Sequence, residues 1–232
     1  MIAAVNLNPC IDKTVWVDCF KYGGLNRVKQ SRSDVSGKGI NVAVAFTQLG
    51  GKAVCTGINY EERGRLVENF LEETGIKHDF ITVSGDVRVN IKIFDESRKV
   101  VTEINESGYH VSKDFVAPLK SKLTIYAKQS TAVVLCGSVP RGIHSAIYRE
   151  LLELISELPV KTILDAEGEL LLEGLKGKPN IIKPNLYELE TALKTKLNSH
   201  RDIVQGARAF IKKGVNIVAV SLGGEGALIV DD

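Results

Sequence analysis

Short, near-continuous apolar runs recur along the chain at residues 2–7, 53–58, 131–136, 160–164, 180–182 and 216–222. A strand with one wet face alternates apolar and polar residues, whereas a run apolar at successive positions describes a strand covered on both faces, as in parallel sheets. Helix-like segments lie between these runs at 40–49, 61–74, 113–128, 145–157, 185–193 and 201–213. Gly75 and Gly214 supply stop signals for two of them, and the 61–74 segment places Leu66, Phe70 and Leu71 on its apolar face. Strand alternating with helix predicts an α/β fold: a doubly wound, mostly parallel sheet flanked by helices.

Two regions break this rhythm. Residues 14–20 alternate Val15, Val17 and Cys19 against Trp16, Asp18 and Phe20, and after Tyr22-Gly23-Gly24 the segment 26–35 is again extended but more polar. Further on, extended segments at 90–94 and 100–104 flank the turn-like Asp95-Glu96-Ser97-Arg98. Alternation with one solvated face describes hairpins, so residues of about 12–35 and 87–106 are expected to form a small β-sheet lid over the mouth of the main sheet. The whole of 1–232 is otherwise read as one domain.

Composition narrows the classes of function. With 232 residues, 44% of them apolar, the chain is long enough to bury a substantial core. Thirty Lys and Arg against 28 Asp and Glu leave a formal charge of +2 with no long run of one sign, which argues against a nucleic-acid partner. The apolar runs fall far short of the ~20 residues of a membrane-spanning helix, so no membrane association is expected. Cys10, Cys19, Cys55 and Cys136 form no C-x-x-C pair, and His78, His110, His144 and His200 are scattered, which fits a reducing cytoplasm and argues against a structural zinc site.

The candidate chemistry clusters where predicted strands end. Ser36-Gly37-Lys38-Gly39-Ile40-Asn41 places two glycines and a lysine at a helix start, which suits an anionic or polyhydroxylated ligand but equally describes a tight loop for close helix packing. The lysine lies between the glycines, so this is not a P-loop. Asp12, just past Asn8-Pro9, is expected in a loop at the ligand-binding edge of the sheet, where it could accept sugar hydroxyls or simply form a turn. Arg88, Asn90 and Lys92 alternate along a predicted strand and so share a face; an arginine fork there suits a phosphate, although cations on a hairpin also serve as plain solvation. Ser138, in Gly137-Ser138-Val139-Pro140, follows a buried strand and could bond a substrate hydroxyl or phosphate, but no Gly-x-Ser-x-Gly elbow supports a serine nucleophile. Asp165 and Lys183 end two further strands. Asn185 and Glu188, at i and i+3, could share a hydrated Mg²⁺ or form a capping box. Ser221, Gly223 and Gly226 join the last two apolar runs, where glycines could admit a nucleotide or make a turn.

In this order, the motifs resemble the ribokinase-like (PfkB) family of carbohydrate kinases, in the branch that phosphorylates fructose 1-phosphate and tagatose 6-phosphate. The resemblance rests on the opening Asn6-Leu7-Asn8-Pro9-Cys10-Ile11-Asp12, on SGKGINVA at 36–43, on Arg88-Val89-Asn90-Ile91-Lys92-Ile93, on Gly137-Ser138-Val139-Pro140 and on KPNLYEL at 183–189. It implies ATP-dependent conversion of fructose 1-phosphate to fructose 1,6-bisphosphate, with tagatose-6-phosphate kinase as the alternative, under a β lid that can also pair two subunits. It further implies that Asp12, Gly37, Lys38, Gly39, Asn41, Arg88, Asn90 and Ser138 face the phosphosugar. Asp165, Lys183, Asn185, Ser221, Gly223 and Gly226 would serve ATP, and Asn185 with Glu188 would hold Mg²⁺ through water. The family's Gly-Ala-Gly-Asp motif, whose aspartate is the catalytic base, does not occur in this sequence. The expectation is therefore that no catalytic base lies in this chain, that the base lies beyond residue 232, and that the chain alone is inactive; a phosphosugar sensor without catalysis is the alternative of another class. Asn59 stands where relatives carry an acid in a Gly-x-Asp pattern, so no role is assigned to that position.

Overall fold

A computed structural model describes residues 1–231. The large sheet is built from β1 (Ile2–Asn6), β4 (Ala53–Glu62), β5 (Lys77–Asp86), β8 (Ala132–Cys136), β9 (Lys161–Asp165), β10 (Ile181–Ile182), β11 (Ile217–Ser221) and β12 (Ala227–Val230). Their spatial order is β12-β11-β10-β9-β8-β1-β4-β5, parallel throughout except for the antiparallel hairpin of β11 and β12. All five residues of β1 are buried, as a strand sandwiched between helical layers requires.

The helices α1 (Lys38–Gln48), α2 (Gly64–Glu73), α3 (Val116–Gln129), α4 (Ile147–Leu154), α5 (Gly168–Leu175), α6 (Leu186–Leu193) and α7 (His200–Ile211) connect the strands. Because the chain runs from β1 to β4 on one side and later to β8 on the other, the strand order reverses at β1. Open α/β sheets bind ligands outside the carboxyl ends of their strands at such a reversal. Here the carboxyl end of β1 leads through Leu7, Asn8 and Pro9 straight into the second sheet.

That second sheet has the order β3-β2-β6-β7, from β2 (Cys10–Val17), β3 (Gln30–Ser36), β6 (Arg88–Asp95) and β7 (Val100–Asn105). Two antiparallel hairpins join through a parallel pairing of β2 with β6, with Asp12 opposite Asn90 and Trp16 opposite Phe94. The 14–20 expectation placed the first strand four residues late. Asp18 to Phe20 lie outside it because the Asp95 carboxylate accepts from the Phe20 N–H at 2.9 Å and draws that segment into a loop.

Three further expectations are corrected. Asp12 is not in a loop after β1 but lies within β2, already part of the small sheet. On α2 the buried positions are Val67 and Leu71, while Leu66 is 50% exposed, because the helix starts at Gly64 and its i, i+4 pair faces the sheet. The edge strand β5 and the short helix α5 carry no apolar run or cap signal long enough to be read from sequence, and both were unexpected. The buried apolar side chains of the large sheet and its helices form one continuous cluster.

Candidate functional site

The approach of α1 to β1 builds the floor of the site. Gly37 has φ 142°, and a Cβ there would stand 2.6 Å from the Asn6 Oδ1; at Gly39 it would stand 2.8 Å from the Asn6 Cβ. Glycine at both positions therefore lets the helix start sit against the end of β1. The Gly39 N–H donates to Asn6 Oδ1 at 3.2 Å, and the Asn41 N–H donates to the Gly37 carbonyl as the first helical bond. Gly37 and Gly39 thus take the packing role, while the Asn41 side chain donates to Ser36 Oγ at 3.4 Å.

Above this floor a cleft of about 380 Å³ is lined by Lys38, Arg88, Asn90, Gly137 and Ser138, with Asn6 and Asn8 beneath. Arg88 Nη1 donates to the Glu106 carbonyl at 2.7 Å and to Asn90 Oδ1 at 3.1 Å. Its Nε donates to the Asn8 carbonyl at 3.4 Å. Neutral oxygens thus fix the guanidinium, and among the described residues it has no carboxylate ion-pair partner. Such a cation keeps its charge for an incoming anion.

Asp12 stands beside this cleft. Its carboxylate accepts from Asn90 Nδ2 at 3.0 Å and from Lys92 Nζ at 2.8 Å. Burial pushes its proton affinity up, but those two bonds outweigh it and hold the carboxyl below the ordinary range. Arg88, Asn90 and Lys92 do share a face, yet Lys92 is spent on Asp12 rather than free for a ligand. Cys10, next in this cluster, has its thiol pushed up by burial to about 11, which makes it an inert neighbour.

Lys38 lines the cleft and is also paired across the strand ends. Its Nζ donates to Asp165 Oδ1 at 2.9 Å and stands 3.8 Å from Glu188 Oε1, while Lys183 Nζ lies 3.3 Å from the other oxygen of Asp165. Burial lowers the lysine's proton affinity, but the Asp165 carboxylate more than restores it, so Lys38 is held above its usual range and stays charged. It therefore borders the cleft but reaches across the strand ends to the carboxylates of β9 and α6.

A second cleft of about 600 Å³ opens beyond that seam, lined by Asn185, Tyr187, Leu197, Ile203, Ser221 and Gly223 among others. Ser221 donates its N–H to the Pro184 carbonyl at 3.0 Å, which fixes the end of β11 against the start of α6. A Cβ at Gly223 would meet nothing within 4 Å, so the loop leaves open space before it. Gly226 closes the loop by accepting from the Leu222 N–H at 2.8 Å and does not line the cleft; Asp165 and Lys183 also lie outside the lining, at the seam. Leu197, Ile203 and Tyr187 give the cleft apolar walls suited to a planar base. Tyr187 falls within KPNLYEL, whereas Leu197, in the loop after α6, and Ile203, within α7, left no motif to read.

Asn185 and Glu188 form a capping box: Glu188 N–H donates to Asn185 Oδ1 at 2.7 Å and Asn185 N–H donates to Glu188 Oε2 at 2.9 Å. This leaves Glu188 Oε1 as the one oxygen of the pair turned to the seam. Among the described residues no group of three His, Cys, Asp or Glu converges on a metal position.

The largest cleft, about 780 Å³, lies at the opposite end of β9, bordered by Leu152, Ile155, Lys161 and Lys178, and no sequence motif falls in it. Asn6, Asn8 and Glu106 belong to the described site but were not singled out from sequence, since a buried asparagine after a strand carries no periodic signal.

A mostly parallel α/β sheet with two clefts at its strand ends, one of them lined by Lys38, Arg88 and Ser138 together with Glu106 and Glu167, has the architecture of an α/β enzyme whose candidate site lies at the strand ends. The chain belongs to the pfkB family of carbohydrate kinases, whose model matches residues 5–232. It is 34% identical over 230 residues to the 1-phosphofructokinase of Borreliella burgdorferi, covering 99% of this chain and 74% of that protein. It is 35% identical to the Rhodobacter capsulatus 1-phosphofructokinase, covering 99% and 73%, and 33% identical to a Staphylococcus epidermidis tagatose-6-phosphate kinase, covering 98% and 74%. Among solved structures, phosphofructokinase-2 from Escherichia coli in complex with substrates and products shares the fold, with a TM-score of 0.92 at 24% identity over 100% of this chain and 76% of that one. A structure described as a possible 1-phosphofructokinase from Thermotoga maritima gives 0.87 at 28%, covering 100% and 74%.

Proposed function

We propose that this chain binds fructose 1-phosphate beneath the lid and Mg-ATP in the neighbouring cleft, as part of a 1-phosphofructokinase that yields fructose 1,6-bisphosphate. The observation that carries the reading is Arg88: a cation without a carboxylate partner, clamped by backbone carbonyls at a donor-lined cleft. In this reading Arg88 and Ser138 receive the phosphate of the sugar, and Asn90 with Asp12 receives its hydroxyls. Asn185, Ser221 and Gly223 border the nucleotide.

Transfer joins the accepting hydroxyl oxygen to the γ-phosphorus and breaks the bond to the β–γ bridging oxygen, which leaves on ADP while the hydroxyl proton goes to a base. Lys38, charged and placed between the two clefts, would offset negative charge on the transferring group. Mg²⁺, when bound with ATP, supplies further charge neutralisation, and Glu188 Oε1 is the oxygen that would hold it through water. Neither Asp12 nor Asp165 suits the base, since Asp12 is tied to Asn90 and Lys92 and Asp165 lies between two lysines. The family resemblance assigns that proton to the Gly-Ala-Gly-Asp aspartate, a motif this sequence does not contain.

The outer strand of the small sheet exposes Val100 and Ile104 on one face, with the half-exposed Ile91 of β6 opposite Ile104, and we extend the proposal to pairing of two chains through this face. No helix among the described residues is long and apolar enough to cross a membrane.

Calorimetric titration of fructose 1-phosphate, tagatose 6-phosphate and Mg-ATP, each alone, tests the reading. Saturable binding of fructose 1-phosphate and of Mg-ATP is expected. Preference for tagatose 6-phosphate would move the assignment to the other kinase, and failure of both sugars would overturn it.

A further inference from the structure

Asn8, just after β1, lines the floor of the cleft that holds Arg88 and Ser138. It is 4% exposed. Both hydrogens of its amide are committed: Nδ2 donates to the Ser107 carbonyl at 3.3 Å and to Ser138 Oγ at 3.1 Å. A carbonyl oxygen only accepts, so Ser107 fixes which end of the amide faces this way; a flipped amide would set oxygen against oxygen.

The consequence falls on Ser138. A hydroxyl has one hydrogen to give, and Ser138 Oγ already accepts from Asn8, so its own hydrogen is free for another partner. Among the described residues Oγ makes no other hydrogen bond, and Ser138 lines the cleft. Asn8 reaches the cationic element as well, because its backbone carbonyl accepts from Arg88 Nε and Nη2 at 3.4 and 3.5 Å. One residue thus holds both groups that face the anion.

We propose that Asn8 is a positioning residue for Ser138: by donating to one of the two lone pairs of Oγ it orients the hydroxyl and leaves its hydrogen for the cleft, so that Ser138, beside Arg88, donates to a phosphate oxygen of a sugar phosphate. This rests on the phosphosugar reading above. The buried Asn8 Oδ1 has no partner and lies where a Cβ at Gly108 would stand 2.7 Å away, so it is sealed behind the amide and adds no competing acceptor to the cleft.

The test is calorimetric titration of fructose 1-phosphate into the unaltered chain and into Asn8→Ala, Asn8→Asp, Ser138→Ala and the Asn8→Ala/Ser138→Ala double variant. Thermal unfolding reports whether each variant is folded. Ser138→Ala is expected to weaken binding about 5–20-fold and Asn8→Ala by a similar factor, with the double variant no weaker than Ser138→Ala alone, since both remove one interaction. Asn8→Asp, near in shape but able to take the Ser138 hydrogen and carrying a negative charge, is expected to weaken binding more than 30-fold, and more for fructose 1-phosphate than for unphosphorylated fructose. Losses that add in the double variant, or Asn8→Asp binding like the unaltered chain, overturn the role of Asn8. Should both Asn8 variants fail to fold, Ser138→Ala decides: it must cost affinity for inorganic phosphate as well as for the sugar phosphate, and an unchanged phosphate affinity overturns the donor assignment. Absence of any sugar-phosphate binding in the unaltered chain overturns the phosphosugar reading itself, and the role of Asn8 falls with it.

Discussion

Arg88 shows how a side chain is kept available for a ligand: its bonds go to carbonyl and amide oxygens, which orient the guanidinium without cancelling its charge. Removing a charge-assisted bond to a phosphate costs about 1.5–3 kcal/mol, so Arg88→Ala should weaken fructose 1-phosphate binding about 10–100-fold in calorimetry while leaving Mg-ATP affinity unchanged. An equal loss for both ligands would remove Arg88 from the sugar side. Lys38 has the opposite arrangement, paired to Asp165 and facing Glu188, whose side chains are only 9% and 7% exposed. Lys38→Met leaves those carboxylates facing each other without the cation between them. Because Lys38 itself is 41% exposed, water screens the loss, and urea unfolding should register a destabilisation of about 1–2 kcal/mol rather than the larger cost of breaking a fully buried pair. From sequence the glycines and the lysine of this segment read equally as an anion site or as a tight loop for helix packing; the direction of the lysine was not legible, because it depends on a carboxylate contributed 127 residues later.

At the scale of elements, α2 and the lid turn carry the sharpest expectations. Leu71 is fully buried, and Leu71→Ala should cost about 2–4 kcal/mol in urea unfolding, whereas Leu66→Ala on the exposed flank should stay within about 0.5 kcal/mol. Equal effects would restore Leu66 to the face read from sequence, which holds at Leu71 and Phe70 but not at Leu66, because the sheet meets the helix along the Val67–Leu71 line and leaves Leu66 on its flank. In the lid, the Asp95 carboxylate accepts from the Ser97 hydroxyl and from the N–H groups of Phe20, Ser97 and Arg98, which together hold its carboxyl at about 2. A depressed value contributes stability that is complete above the ordinary carboxylate range near 3.8 and is lost as pH falls through the folded value. The lid turn should therefore loosen between about pH 4 and 2. Trp16, the chain's one tryptophan, pairs with Phe94 beside this turn and reports it by fluorescence. Asp95→Asn should remove the transition in that window; a profile unchanged by the substitution would contradict the assignment.

For the whole molecule, the pattern of apolar runs was enough to foretell a doubly wound sheet, because burial on both faces leaves a mark at every residue of a strand such as β1. What sequence could not supply was the meeting of distant segments. The cleft proposed for the phosphosugar draws on the end of β1, the start of α1, strand β6 and the loop after β8, and in the second cleft Leu197 comes from the loop between α6 and α7 and Ile203 from α7, segments of ordinary appearance. The exposed lid face gives a prediction at this scale. Sedimentation should show self-association of the chain that Val100→Glu with Ile104→Glu, both on one face of β7, abolishes without loss of folding, and a monomer at every concentration would remove the pairing. The central claim, that a sugar phosphate lies under the lid against Arg88 and Ser138, is tested most directly by a crystal structure of the chain with fructose 1-phosphate. The account predicts the phosphate within hydrogen-bond distance of both side chains; a phosphate held instead by Lys161 and Lys178 in the large cleft at the far end of β9 would contradict it.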